Sequence, residues 1–516
     1  MNFFKRITAF LLCLVMLISL FGCKAKENVL NTIAQINEAD PGLDEIGYTV
    51  PYLRSDTLNP FDTETGMNLD ISTLLYDSLF SVDNTFKASP LMAETSANTE
   101  DGLQVKIKAL KFTDGTQVTA DDVVYSFKKA KKSANYSIYL GNIKNAEAID
   151  GLTVLFSLYN PNIYEKANLI FPVIKAKSDI DRESSDDYSA KVPTGSGRYS
   201  VKSENDIKYL AVNKERLGDY HPKYNKIGLK DLTELSSVQN LFSMGEIDYY
   251  TESFSDGTFK RYTGNASAIS TTNFTFLGVS NYKSALQKSS VRRAIALLIN
   301  RADLSSVSYA GFAVAASTPF NPDFYALEGC IYPSAKQDKA RAIELLEEAG
   351  YDKINDIGIR NNGYSALNLR LVVNKENSFR LAMARSIQQA LSKADINVEI
   401  RELSYNSYIS AIQNGAFDLF VGEAKLSNSF DLSEFFNEDG SLSYGVCQEC
   451  DSQKAYRQFK KSEINLQSFL DTFSDDLPFI PLAYRQNIAV RSDKIKTEPK
   501  ITVSDRFLNI DEWTVK

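Results

Sequence analysis

Histidine is almost missing from this sequence: His221 is the only one in 516 residues. A Ser-His-Asp or Cys-His arrangement therefore has one candidate member, set in a turn-like stretch before Pro222, and metal sites built on several histidines are excluded. Cysteine is scarce as well, with five in the chain. There is no excess of positive charge, since the formal net charge is −8, and a nucleic-acid footprint is correspondingly not expected. Carboxylates are plentiful, with 65 acidic residues, yet no spacing isolates a catalytic pair. No glycine loop has phosphate-binding or dinucleotide-binding spacing. A cofactor is not expected, nor is an enzyme.

Long apolar runs are lacking too, apart from Ile7 to Leu20 behind Lys5 and Arg6. That run is shorter than the roughly 20 residues a membrane-spanning helix needs. It ends in Leu20-Phe21-Gly22-Cys23, which is similar to a bacterial lipobox, so residues 1–22 read as a lipoprotein signal peptide. The similarity implies acylation at Cys23 and a lipid anchor on the extracytoplasmic face of the cell membrane. Residues 23–40 are polar and read as a tether.

What remains is ordinary globular composition, 43% apolar and 24% charged, long enough for two or three domains. The stretch Leu110 to Lys132 orders much of it. Asp114-Gly115 makes a turn, Thr119-x-x-Asp122 forms a capping box, and Val123, Phe127 and Ala130 make one apolar stripe. A helix is expected over Leu69–Leu79, and another from Ser290 to Arg301 with Ser290 as N-cap. Val154–Leu158 alternates as a strand. Further along, Leu367 to Val373 alternates, Ser378 to Lys393 has helical spacing, and Ile396 to Ile400 alternates again, a parallel strand-helix-strand unit. A helix from Asn406 to Asn414 then leads to the strand around Phe417–Gly422.

Several of these pieces together carry a resemblance. Phe112-Thr-Asp-Gly-Thr-x-Val-Thr-Ala-Asp-Asp-Val-Val-Tyr-Ser126 is similar to the signature of the family 5 extracellular solute-binding proteins, receptors of oligopeptide and dipeptide ABC importers. In the same order follow Pro193-Thr-Gly-Ser-Gly-Arg-Tyr199, Gly245-Glu-Ile-Asp248, Val291-Arg-Arg-Ala294 with Asn300-Arg301, Asp338 to Gly350, and Pro478-Phe-Ile-Pro-Leu482. The resemblance implies an α/β, bilobed periplasmic-binding-protein-like fold of the cluster C type, with mixed sheets, a hinged cleft and three domains. It places domain I at 41–56, 193–272 and 482–516, domain II at 57–192, and domain III at 273–481.

The same resemblance points to a ligand site after a strand of the third domain, where relatives carry an acid before an aspartate-proline step. Here Asp431-Leu432 stands at that step, and Ser427 or Asn428 stands where the acid would be. Glu423 could supply the charge instead, and Lys425 could pair with a ligand carboxylate; alternatively the two pair with each other. Tyr444 is a candidate to stack on a ligand at the cleft edge. Cys447-Gln-Glu-Cys450 reads as a redox pair, half a metal site or a short disulfide, the last favoured in an exported protein and leaving Cys330 unpaired. No complete metal site is evident.

The reading is then a monomeric, lipid-anchored receptor that captures short peptides and hands them to an ABC permease. The alternatives are a peptide-sensing signalling receptor and a receptor for a non-peptide solute. A hydrolase would depend on His221.

Overall fold

The computed structural model describes residues 46–179, 192–204, 207–216, 220–254, 257–258, 262–283 and 285–516. The expected signal peptide, the tether and Cys23 lie outside the described residues.

Buried apolar side chains form two clusters. One gathers residues around Tyr48, Leu74, Phe112, Phe156 and Trp513, and the other residues around Phe276, Leu371, Phe469 and Tyr484. The molecule is bilobed for this reason. In the first lobe, Ile46–Leu53 pairs parallel with Lys226–Leu232, which continues antiparallel through Ile207–Val212 to Tyr199–Glu204. A second sheet is antiparallel throughout, in the order Ala93–Thr99, Gly102–Ile107, Thr153–Leu158, Ile143–Ala148. Helix Ala120–Ala130 packs on it through Phe127, whose ring lies 5.9 Å from that of Phe156. The expected capping box is present: Thr119 accepts from the Asp122 amide, and the Asp122 carboxylate accepts from the Thr119 amide at 2.9 Å.

The large sheet of the other lobe runs Tyr249–Glu252, Phe479–Arg491, Asn265–Val279, Leu419–Lys425, Asn368–Asn374, Asn397–Leu403. Its last two strands are parallel and joined by helix Ser378–Ser392, as the alternation implies. The long strands Asn265–Val279 and Phe479–Arg491 pair antiparallel from Asn265 opposite Arg491 to Gly278 opposite Phe479. Both expected domain boundaries near 272 and 481 thus fall inside continuous strands. Ile488 and Val490 belong to one apolar cluster and Ala489 to the other. Successive side chains point to opposite faces, so one strand feeds both cores and couples the lobes.

Two expectations are corrected. The first helix runs Gly66–Leu75, capped by Thr65, and not 69–79. Its last carbonyl, that of Leu75, accepts from the Gly197 amide at 3.0 Å, which draws the chain out of the helix. The glycine-rich motif at 195–197 has its reason here: a Cβ on Gly195 would stand 2.1 Å from the Leu75 oxygen, and one on Gly197 2.3 Å from the Leu75 carbonyl carbon. The helix Ser289–Leu298 has Lys288 at its N-cap, not Ser290, and no side-chain cap. Its Arg292 instead donates to the Asp476, Leu477, Leu286 and Gln287 carbonyls, holding two loops of its own lobe.

Candidate functional site

The cleft between the lobes holds a cavity of about 540 Å³. Its first wall begins in the turn that follows Leu58-Asn59-Pro60. The Asp56 carboxylate accepts from the amides of Thr57, Glu64 and Thr65 and the hydroxyls of Thr63 and Thr65, so the loop is pinned and Glu64 is presented at the mouth. Burial works against the Asp56 charge, but these donors outweigh it and hold its pKa below the ordinary carboxylate range. Tyr76, Tyr136 and Tyr139 continue the wall.

Deeper in, Asp70 accepts from the Thr251 hydroxyl and lies 3.6 Å from the Arg506 guanidinium. Burial pushes the Asp70 carboxyl upward, Asp505 adds to this, and Arg506 and Thr251 oppose it. Asp505 is itself tied to Arg198 at 2.8 Å. These contacts fasten the C-terminal segment to the helix Gly66–Leu75, and Asp70, Thr251, Asp505 and Arg506 line the cavity.

The strand Leu419–Lys425 reaches the cavity at its last residue, Lys425, which stands opposite Asn273 in the sheet. Lys425 is exposed in the cavity, with its ammonium 5.0 Å from the centre of the Tyr139 ring on the facing lobe. A cation over an aromatic face is attracted by the ring quadrupole. Lys425 does not pair with Glu423, which corrects that alternative. Glu423 accepts from Arg485 at 3.0 Å and from the Tyr309 hydroxyl at 3.1 Å. Glu423 does not line the cavity.

The other candidate residues are placed away from the cavity. Ser427 shares a hydroxyl hydrogen bond with Ser429 at 3.1 Å and accepts from the Asp431 amide at 3.2 Å. Asn428 is fully buried and donates to the Ala167 carbonyl at 2.8 Å. Asn168 donates to the Ser429 hydroxyl at 3.0 Å. This polar seam joins the lobes where the resemblance had put a ligand contact. Asp431 pairs with Lys460 and accepts from Tyr456 at 2.9 Å. Tyr444 belongs to the loop whose Gly445 carbonyl takes the Asn281 amide nitrogens at 2.8 Å, beyond Val279 at the far end of the strand from Asn273. It is not a cleft residue. Cys447 and Cys450 form a disulfide, Cys330 is free, and His221 is exposed.

Of the residues singled out from the sequence, Lys425 lines this cavity, together with Glu64, Asp70, Tyr139 and Arg506, which the sequence had not singled out. Their signal was weak: Glu64 follows the Leu58-Asn59-Pro60 turn, but nothing local says that this loop faces Lys425.

Among the described residues, no helix is long and apolar enough to cross a membrane. The sequence profile described as "Bacterial extracellular solute-binding proteins, family 5 Middle" matches residues 87–441. The chain is 22% identical to the oligopeptide-binding protein AppA of Bacillus subtilis (strain 168) over 477 residues, which is 86% of this chain and 87% of that protein. In fold it is similar to the periplasmic murein tripeptide binding protein MppA in its unliganded open form, with a TM-score of 0.72 at 18% identity, covering 92% of this chain and 98% of that one. A nickel ABC transporter structure from Bacillus halodurans is similar with a TM-score of 0.71 at 18% identity, covering 91% and 100%. On the profile match across the greater part of its length, the chain belongs to the family 5 bacterial extracellular solute-binding proteins.

Proposed function

We propose that this chain is the lipid-anchored receptor of an ABC importer and that it captures short peptides in the interlobe cavity. The observation that carries the reading is a pair of opposite charges. Glu64 and Lys425 line one cavity, and among the described residues neither has an ion-pair partner in the protein. A zwitterionic peptide supplies both countercharges, its amine to Glu64 and its carboxylate to Lys425, while the three tyrosines offer faces to its side chains. The volume, about 540 Å³, lies within the roughly 300–1,000 Å³ of small-molecule pockets, which favours a short ligand. The names of the relatives AppA and MppA support peptides as the class.

Domain I at 41–56, 193–272 and 482–516, domain II at 57–192 and domain III at 273–481 are part of this reading. So are acylation at Cys23, a monomeric state and delivery to a membrane permease. Closure of the lobes buries the solute, and reopening at the permease releases it.

The test is native mass spectrometry of the gently purified protein, followed by calorimetry with the peptides it carries. Lys425→Met is expected to weaken binding by roughly ten- to a hundredfold, the range of a charge-assisted hydrogen bond. A C-terminally amidated peptide is expected to bind wild type and Lys425→Met alike. Equal affinity of the two proteins for the free-acid peptide overturns the assignment of Lys425. A single co-purified non-peptide mass carrying a metal supports the second reading, a chelate receptor, which the likeness to the Bacillus halodurans nickel transporter favours.

A further inference from the structure

The corner where the loop Tyr444–Cys450 meets the helices Asp451–Lys460 and Leu466–Asp476 contributes no residue to the lining of the interlobe cavity. It adjoins the Val279 end of the long strand, where Tyr282 donates to the Val446 carbonyl at 3.0 Å. Spacing alone provides two sulfur donors there, Cys447 and Cys450. Folding adds a third donor from 26 residues further along the chain, Asp476: both sulfurs and one of its carboxylate oxygens lie within 4.8 Å of one another.

We propose that this corner is a redox-gated site for a thiophilic divalent cation such as Zn²⁺, closed in the disulfide form and opened by reduction. In tetrahedral zinc sites Zn–S is about 2.3 Å and Zn–O about 2.0–2.2 Å, so donors around one ion are separated by a little under 4 Å. The three atoms are within reach of that spacing once the sulfur–sulfur bond is broken.

The donors are also held in place. Asp476 closes its helix and is fixed by Arg292 at 2.9 Å through one oxygen and by the Ser452 amide at 3.1 Å through the other. Cys450 is the N-cap of the ten-residue helix Asp451–Lys460, whose positive end favours a thiolate. Charge balances as well: two thiolates and one carboxylate are met by the divalent ion and the Arg292 guanidinium. Neither cysteine is buried, which leaves a fourth position for water and gives a reductant access.

The gating step is thiol–disulfide exchange. An external dithiol gives two electrons and two protons, the Cys447–Cys450 bond breaks to two thiols, and the dithiol becomes a cyclic disulfide. Metal entry then displaces both thiol protons to solvent. While oxidised, neither sulfur is a thiolate and the site cannot take the ion.

The experiment is Co²⁺ titration of the protein carrying Cys330→Ser, before and after reduction with dithiothreitol and desalting. The reduced protein is expected to take up one Co²⁺ per chain with a thiolate-to-cobalt charge-transfer band, which Zn²⁺ then bleaches. The oxidised protein is expected to show no band. Cys447→Ser or Cys450→Ser should abolish it, and Asp476→Asn should weaken binding by about tenfold or more. Because Asp476→Asn also deprives Arg292 of its charged partner, the serine variants decide independently of folding at that helix end. Absence of a one-to-one band in the reduced protein, or a band that persists in Cys447→Ser, overturns the proposal.

Discussion

The Glu423 carboxylate lies against the Arg485 guanidinium at 3.0 Å, with side chains 10% and 3% exposed. Strand pairing brings them together from 62 positions apart, because Thr275 on the strand between is opposite both Glu423 and Ala483. The Tyr309 hydroxyl completes the acid's shell at 3.1 Å, and Asn487 takes a further Arg485 donor at 3.2 Å. This ion pair stiffens the strand that presents Lys425, two residues on, to the cleft.

Removing one charge leaves the other buried and unmatched. Glu423→Gln is expected to lower stability by about 3–5 kcal/mol, while Glu423→Met combined with Arg485→Met should cost much less. Urea unfolding of the three proteins measures this, and a double variant no better than the single one would show that the pair is not the unit that matters.

The seam between the lobes gives a second expectation. Ser429→Ala removes the acceptor of the Asn168 amide, leaving that amide its bond to Glu165 at 3.0 Å. A hydrogen bond contributes about 1 kcal/mol, so the ratio of open to closed forms should rise roughly fivefold. X-ray scattering of the solute-free protein would register a larger radius of gyration; an unchanged profile would mean that the seam does not govern opening.

Asp431 predicts a pH dependence. Burial penalises its charge, but Lys460 and the Ser433 groups more than compensate and hold its pKa below the ordinary value. A carboxylate whose folded pKa is depressed contributes stability that is complete above its unfolded value, near pH 4, and is lost as pH falls through the folded value. Thermal melts should therefore decline on the acid side of pH 4, and Asp431→Asn should flatten that decline while lowering the neutral-pH midpoint. An acid limb with the same slope in both proteins would assign the effect to other carboxylates.

The tight contact at the end of the first helix predicts intolerance. Gly195→Ala would place a methyl 2.1 Å from the Leu75 oxygen and 2.5 Å from the Tyr76 ring. Backbone must shift to make room, so a loss of about 3 kcal/mol is expected. A melting temperature within a degree of wild type would contradict it.

The chain's own order of residues determined much of what depends on near neighbours. The Thr119–Asp122 box and the strand-helix-strand unit that begins at Leu367–Val373 appear in the structure as read. These follow from backbone preferences and from periods of two and 3.6 residues. The cleft was decided otherwise. Glu423 and Lys425 share a strand face and were equivalent candidates, yet one is neutralised by Arg485 and the other stands over Tyr139. Ser427 and Asn428 became a seam because Ala167 and Asn168 fold against them. Whether a charge is a partner's or a ligand's depends on residues tens to hundreds of positions away, and local pattern carries no information about which of them will arrive.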